Sequence, residues 1–478
     1  MFLLHLTTAL YTGFFQPDGV AYSYLALHID GGQIAFERRA PLLQLMLAFS
    51  FKVFGASYWS ASLVPHFFGI LTTLLILFVA RRLYDTRVGL WAMLLATTNL
   101  PLMNLSSQIL RETLLSALFL LSLYTTLRCR RHARSVLLGI VIGLLYWVRE
   151  DYLIVAVPLL VYIFVAEKER RGELPLLLSS AAVTASPWAY FSFRYYGTLT
   201  PSMQSAQSFT GITYYAPSIE LLGSISSGVY YGLHLLVSIL SVFAFLFLAI
   251  GVISGIDRRR LLLLSMSAVV LLVDSSPVSH HLIWPMPWSF TDASRYLFAS
   301  GVPLLIFSAQ GLTVAGELFA RHGTFWSTRK TKSSRPMSRR LAVAILMTCL
   351  LLFGQGYIGL LQEQNRYTEM PYNLAGQYMQ SQAIHGSVMS FHPELLQRYY
   401  SGGEVYPIPS PPSFSNILET ARAKRVSYIL VDWSMTEISK DVILIYFRSG
   451  SAEQRLPPGF NYVAGQAYVW ALFEIQSI

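Results

Sequence analysis

The chain has 478 residues, 54% of them hydrophobic and only 13% charged, about half the charged share of an ordinary soluble protein. With a mean hydropathy of +0.48, this excludes a water-soluble globular enzyme, because lipid must solvate much of the surface. The net charge of +10 would suit a nucleic-acid partner, but the basic residues stand in short clusters between apolar runs, as cytoplasmic membrane loops do, so no nucleic acid is expected.

Eleven apolar runs follow one another: 1–15, 59–80, 88–103, 113–127, 135–148, 152–166, 174–191, 230–253, 261–273, 296–315 and 341–361. The first is short for a span, which needs roughly 17–25 residues. It lacks the basic start and small-residue cleavage site of a removable signal. Basic clusters follow every second run. They are Arg81, Arg82 and Arg87; Arg128, Arg130, Arg131 and Arg134; Lys168, Arg170 and Arg171; Arg258, Arg259 and Arg260; and Arg321, Arg329, Lys330, Lys332, Arg335, Arg339 and Arg340. Together they hold twenty of the 35 Lys and Arg. This excess marks the cytoplasmic side and holds its alternation through all eleven runs. The expected fold class is therefore a polytopic α-helical membrane protein of about eleven spans in the plasma or cytoplasmic membrane, with a cytoplasmic N-terminus.

The loops 16–58, 101–108, 149–151, 192–229 and 274–295, and everything after 362, fall on the opposite side. Trp59, Trp147, Trp188, Trp284 and Trp288 sit at loop edges and read as an interfacial aromatic belt. Within 16–58, the stretches 20–28 and 42–54 carry apolar residues at helical spacing and read as helices lying on the membrane. After residues 1–361, the segment 362–478 changes character. Short apolar runs at 389–391 and 428–431 read as buried strands, with a helix at 416–424 and Gly- and Pro-rich turns between. This is a small extracytoplasmic α/β domain. Cys129 and Cys349 lie in a basic loop and an apolar run, which makes a disulfide or a Cys-based metal site unexpected.

No Walker A loop, His-Glu-x-x-His, nucleophile elbow or Asp-x-Asp is present. What remains is a set of ionisable residues at the outer ends of spans. Asp18, between Pro17 and Gly19, is either a helix N-cap or a carboxylate held at the membrane surface. Arg38 and Arg39 are either snorkelling residues or phosphate ligands. Arg111 and Glu112 open the fourth run, where charge is costly unless paired or functional. Arg149, Glu150 and Asp151 form a tight outer turn. His280 and His281 diverge as neighbours and make a poor metal chelate. Arg295 and Tyr296 open the tenth run, where an Arg fork suits a lipid phosphate. All of these fall on the outer face, as a reaction between a lipid phosphate and an outside acceptor would require.

The arrangement resembles the GT-C superfamily of polytopic glycosyltransferases, in the branch of the protein O-mannosyltransferases and the aminoarabinose transferase of lipid A. The matching segments are Pro17-Asp18-Gly19-Val20-Ala21-Tyr22, Arg38-Arg39-Ala40-Pro41 through Phe54-Gly55, Ala80-Arg81-Arg82-Leu83-Tyr84, Leu110-Arg111-Glu112, Pro187-Trp188 through Tyr196-Gly197-Thr198-Leu199-Thr200-Pro201, and Arg295-Tyr296 with Pro303. The resemblance implies an inverting transfer of a sugar, hexosyl or pentosyl, from a polyprenyl-phosphate donor to an extracytoplasmic acceptor. Asp18 would be the general base. Glu112 would position a substrate, or ligate a divalent metal where one is used. Arg295, Arg38, Arg39 and Tyr296 would hold the donor phosphate, and Tyr22, Glu150 and Asp151 would position the acceptor. Many protein O-mannosyltransferases carry Asp-Glu in this first loop, whereas Gly19 follows Asp18 here. That counts against a protein mannosyltransferase and leaves protein, lipid and glycan acceptors open. The rival reading is a transporter or flippase of lipid-linked sugars. It would favour internal repeats and Gly- or Pro-broken helices at mid-membrane, and no repeat is evident.

Overall fold

A computed structural model describes residues 17–30, 39–128, 132–201, 240, 244–255, 257–274, 298–299, 301–323, 369–410, 412–432, 459–466 and 470–476. The expected runs 1–15 and 341–361, and the candidates Arg38, His280, His281, Arg295 and Tyr296, lie outside the described residues.

Two helices precede the first long one: α1 (Pro17–Asp30) and α2 (Leu42–Phe54). They pack against each other, and α2 also touches the helix that follows. Val20, Tyr22, Ala26, Leu43 and Leu47 are buried between them and their neighbours. Helix α3 (Tyr58–Leu83) starts at a capping box. Ser57 Oγ accepts from the Ser60 amide, and Ser60 Oγ accepts from the Ser57 amide. Its 26 residues rise about 39 Å, more than the roughly 30 Å of a bilayer core.

The run 88–103 forms two helices and not one straight span. Helix α4 (Thr86–Thr97) and helix α5 (Leu100–Ser107) are bent by 57°. The break has a local cause. Asn99 caps α5 by accepting from the Leu102 amide at 2.9 Å, and Pro101 occupies its first turn, where a missing N–H costs nothing.

Next come α6 (Glu112–Arg128), α7 (His132–Val148), a 3-10 turn (Glu150–Val155), α8 (Ala156–Ala166) and α9 (Leu174–Tyr196). Gly197 closes α9 in the left-handed conformation, with φ 70°. Helices α10 (Arg258–Asp274) and α11 (Leu305–Gly323) follow. Helix α3 packs on α4 and α6, α6 on α7, α7 on α9, α10 on α8 and α11 on α4. Among the described residues, α3 is long and apolar enough to cross a membrane, and α4 with α5 qualifies as a broken span.

Helices α7 and α9 pack closely. Gly139 and Gly143 face Leu177, Ser180, Ala181 and Thr184, so small residues on both sides let the backbones approach. A Cβ on Gly139 would fall inside the envelope of Ser180 Oγ and Leu177 O, and one on Gly143 would stand 2.5 Å from Thr184 Cβ. Trp147 Nε1 donates to Thr184 O at 2.7 Å across the same seam. Gly139→Leu must push the helices apart. It should cost about 1–3 kcal/mol or more and lower the unfolding temperature in detergent; unchanged thermal stability would contradict this packing.

Polar contacts gather at both ends of these helices. At one end, the Arg260 guanidinium lies 4.2 Å over the Tyr84 ring, Arg87 reaches Glu317 at 3.3 Å, and Ser135 donates to Glu173. The start of α1, the opposite ends of α6 and α7, and Trp188 of α9 carry the groups of the next section.

Among the described residues, five strands between 387 and 475 form one sheet in the order β2-β1-β3-β5-β4. Its strands are β1 (Ser387–Ser390), β2 (Val405–Pro407), β3 (Val426–Asp432), β4 (Phe460–Gln466) and β5 (Trp470–Ile475). The first three run parallel, joined by short helices α12 (Pro393–Tyr399) and α13 (Phe414–Lys424). Strand β5 pairs antiparallel with β3 and β4. Strands β1 and β3 and helix α13 overlap the stretches 389–391, 428–431 and 416–424 read from the sequence.

Candidate active site

Three chain segments supply the site. The first is the start of α1. Pro17 opens the helix, and Asp18 sits in its first turn, where the helix dipole favours a carboxylate. Arg39 Nη1 donates to Asp18 Oδ1 at 2.9 Å, with the two side chains about a third exposed. The same guanidinium lies 5.3 Å over the Tyr22 ring, one turn further along α1. Tyr22 is buried, and burial pushes its hydroxyl up; the charges of Arg111, Arg39, Asp18 and Glu112 all act on it.

The second segment joins α5 to α6. Gly19 fits against it so tightly that a Cβ would stand 3.2 Å from Ile109 O and 3.3 Å from Ile109 Cβ. Glycine at this position therefore lets α1 approach the loop, and a Glu there would press on the Ile109 backbone. Arg111 donates to Val148 O at 3.4 Å, and it lies within the field of Tyr22, Arg149, Glu112 and Asp151. Glu112 opens α6 and is only 5% exposed. Its Oε2 has no hydrogen-bond partner among the described residues. A buried carboxylate oxygen in that condition is costly, typically 1–3 kcal/mol or more, which points to function rather than to stability.

The third segment is the turn after α7. Arg149 Nη2 pairs with Asp151 Oδ2 at 2.9 Å and lies 5.3 Å over the Tyr152 ring. Glu150 is buried, and its Oε1 accepts from Trp188 Nε1 at 3.2 Å. Trp188 packs with Tyr146 and with Ala40, the neighbour of Arg39. The third segment thus meets the first.

The sequence-expected residues Asp18, Tyr22, Arg39, Glu112, Glu150 and Asp151 come together at one end of the helices. Arg111 stands among them, a buried cation that the sequence marks only as the opening of a run. One expectation is corrected. Trp188 is 1% exposed and serves as the partner of Glu150, so it is no part of a lipid-facing belt. Its sequence signal, an aromatic near a helix end, is the same for both roles. No three His, Cys, Asp or Glu side chains gather closely enough among the described residues to hold a metal ion.

No curated protein matches the chain by sequence. The sequence profile described as dolichyl-phosphate-mannose-protein mannosyltransferase matches residues 38–191. That stretch contains Arg39, Glu112, Glu150, Asp151 and Trp188 but not Asp18 or Tyr22. ArnT from Cupriavidus metallidurans, solved with undecaprenyl phosphate bound, superposes at a TM-score of 0.55 with 14% identity, over 99% of this chain and 97% of that one. The apo form of the same protein gives 0.52 at 14% identity, with the same coverage. The Archaeoglobus fulgidus oligosaccharyltransferase tethered to an acceptor peptide gives 0.50 at 14% identity, over 95% of this chain and 69% of that one. The chain therefore resembles the GT-C glycosyltransferases in profile across 38–191 and in fold across nearly its whole length.

Proposed function

We propose that this chain is an integral membrane glycosyltransferase that moves a sugar from a polyprenyl-phosphate donor to an acceptor outside the cytoplasm, with inversion at the anomeric carbon. The observation that carries this reading is the convergence of Asp18, Arg39, Glu112 and the 149–151 turn at one end of the helical body. The fold shared with a protein solved with undecaprenyl phosphate bound supports a lipid-phosphate donor. The alternating basic loops support eleven spans with the N-terminus inside, and an extracytoplasmic domain from 362 onward.

In this mechanism Asp18 takes the proton of an acceptor hydroxyl as that oxygen bonds to the anomeric carbon. The bond from that carbon to the phosphate oxygen breaks on the opposite face, and its electron pair leaves with the lipid phosphate. Arg39, with Arg38 and Arg295, neutralises the charge that develops there. Glu112, Tyr22 and the 149–151 turn orient the sugar and the acceptor, and Tyr296 is assigned with the arginines to the donor phosphate.

Incubating membranes that contain the chain with labelled polyprenyl-phosphate sugars tests the reading. Label should leave the lipid and appear in an acceptor fraction. Movement of intact carrier across the bilayer without bond cleavage would overturn it in favour of a flippase.

A further inference from the structure

We propose that Arg39 is a positioning residue that couples donor binding to base release. It holds Asp18 until a lipid phosphate draws it away, so that the donor must bind before the acceptor can be deprotonated. This rests on the transferase reading and deepens it.

The geometry supplies the two positions. Arg39 Nη1 is 2.9 Å from Asp18 Oδ1, and its guanidinium plane lies over Tyr22. A carboxylate held against a guanidinium loses proton affinity and is a poor base. A side-chain pair about a third exposed is weakly held and exchanges at little cost. The guanidinium carries five donors and matches phosphate oxygens in a bidentate fork, so an arriving phosphate competes well for it. Tyr22 gives the moving group a surface, because a guanidinium can slide over a ring face while keeping its cation–π contact. Once Arg39 turns to the phosphate, Asp18 regains its proton affinity beside the sugar, and the same arginine meets the charge on the leaving group. Charge is conserved throughout: the proton goes to Asp18 and the electron pair to the phosphate that Arg39 now faces.

The test reads Asp18 directly and needs no knowledge of the sugar. The full chain in lipid nanodiscs is treated with a hydrophobic carbodiimide, which adds across a protonated carboxyl and rearranges to a stable N-acylurea. Labelling at Asp18 is followed by peptide mass spectrometry. An opposite charge at contact distance typically shifts a carboxylate by one to three pH units, so undecaprenyl phosphate should speed Asp18 labelling about tenfold or more. Undecaprenol, which has no phosphate, should not. Arg39→Ala should label fast with or without the lipid, and Arg39→Lys should restore the lipid response.

Unchanged or slower labelling of the unsubstituted chain with undecaprenyl phosphate overturns the proposal, as does an equal effect of undecaprenol. The two readings fail separately. Sugar transfer without a labelling response removes the coupling and keeps the transferase. A labelling response without transfer from any polyprenyl-phosphate sugar keeps the phosphate-driven release of Asp18 by Arg39 and removes the transferase.

Discussion

Replacing Asp18 with Asn should abolish sugar transfer while the chain still inserts and folds. The amide keeps the size of the side chain and its place in the first turn of α1 but cannot take a proton. Loss of a positioned general base costs about 10²–10⁴-fold in rate. The pair it breaks, with Arg39, is about a third exposed and contributes little to stability, so the fold should persist. Transfer is measured in proteoliposomes with a labelled polyprenyl-phosphate sugar, and folding by thermal unfolding in detergent. The loss should fall on kcat, because the base acts in the transition state, and donor KM should not rise, because the neutral amide no longer competes with the donor phosphate for Arg39. Asp18→Glu cannot rescue fully: Gly19 is seated against Ile109, so α1 has no room to retreat and accommodate the longer side chain. Near-normal transfer by Asp18→Asn would remove the base assignment.

Glu112→Gln should be the second severe variant. Glu112 is 5% exposed at the first turn of α6, beside Arg111 and within the field that acts on Tyr22. The amide preserves volume and removes one negative charge from a site whose arginines are spaced to balance carboxylates. Loss of one preorganised electrostatic group typically costs about 10²–10³-fold. Transfer should fall on that scale while the thermal unfolding temperature stays close to the original. Glu112→Ala is a poorer probe, because it also opens a buried cavity. A Glu112→Gln chain that transfers at the original rate would show that this carboxylate serves packing alone.

These two residues illustrate how much of the site is readable without coordinates. Asp18 and Glu112 stand out because charge is rare in this chain, and each sits where an apolar run meets a loop. Sidedness follows from the basic clusters, since a carboxylate that opens a run and an arginine that ends the same run, as Glu112 and Arg128 do, belong to opposite ends. Helix α2 falls on the stretch 42–54 for the same local reason: apolar residues recur at helical spacing between Pro41 and Gly55. Strand β3 is legible because its stretch 428–431 is an unbroken apolar run, as suits a central strand whose Ile429, Leu430 and Val431 are buried.

Hydropathy and spacing therefore determine where helices begin, which ends share a side, and which charged groups are candidates. They act over a few residues and are written into the chain in order. Partner choice is a different kind of property. Asp18 meets Arg39 across 21 positions, Arg111 meets Val148 across 37, and Trp188 meets Glu150 across 38. The bend between α4 and α5 shows the limit within a single run: hydropathy reads continuously across 88–103, while the Asn99 cap and Pro101 turn the chain by 57°. Trp188 shows it most plainly. A tryptophan near a helix end satisfies its N–H equally well at a lipid–water boundary or against a buried carboxylate. Only the close approach of α7 and α9, permitted by Gly139 and Gly143, brings Glu150 within 3.2 Å and decides between them.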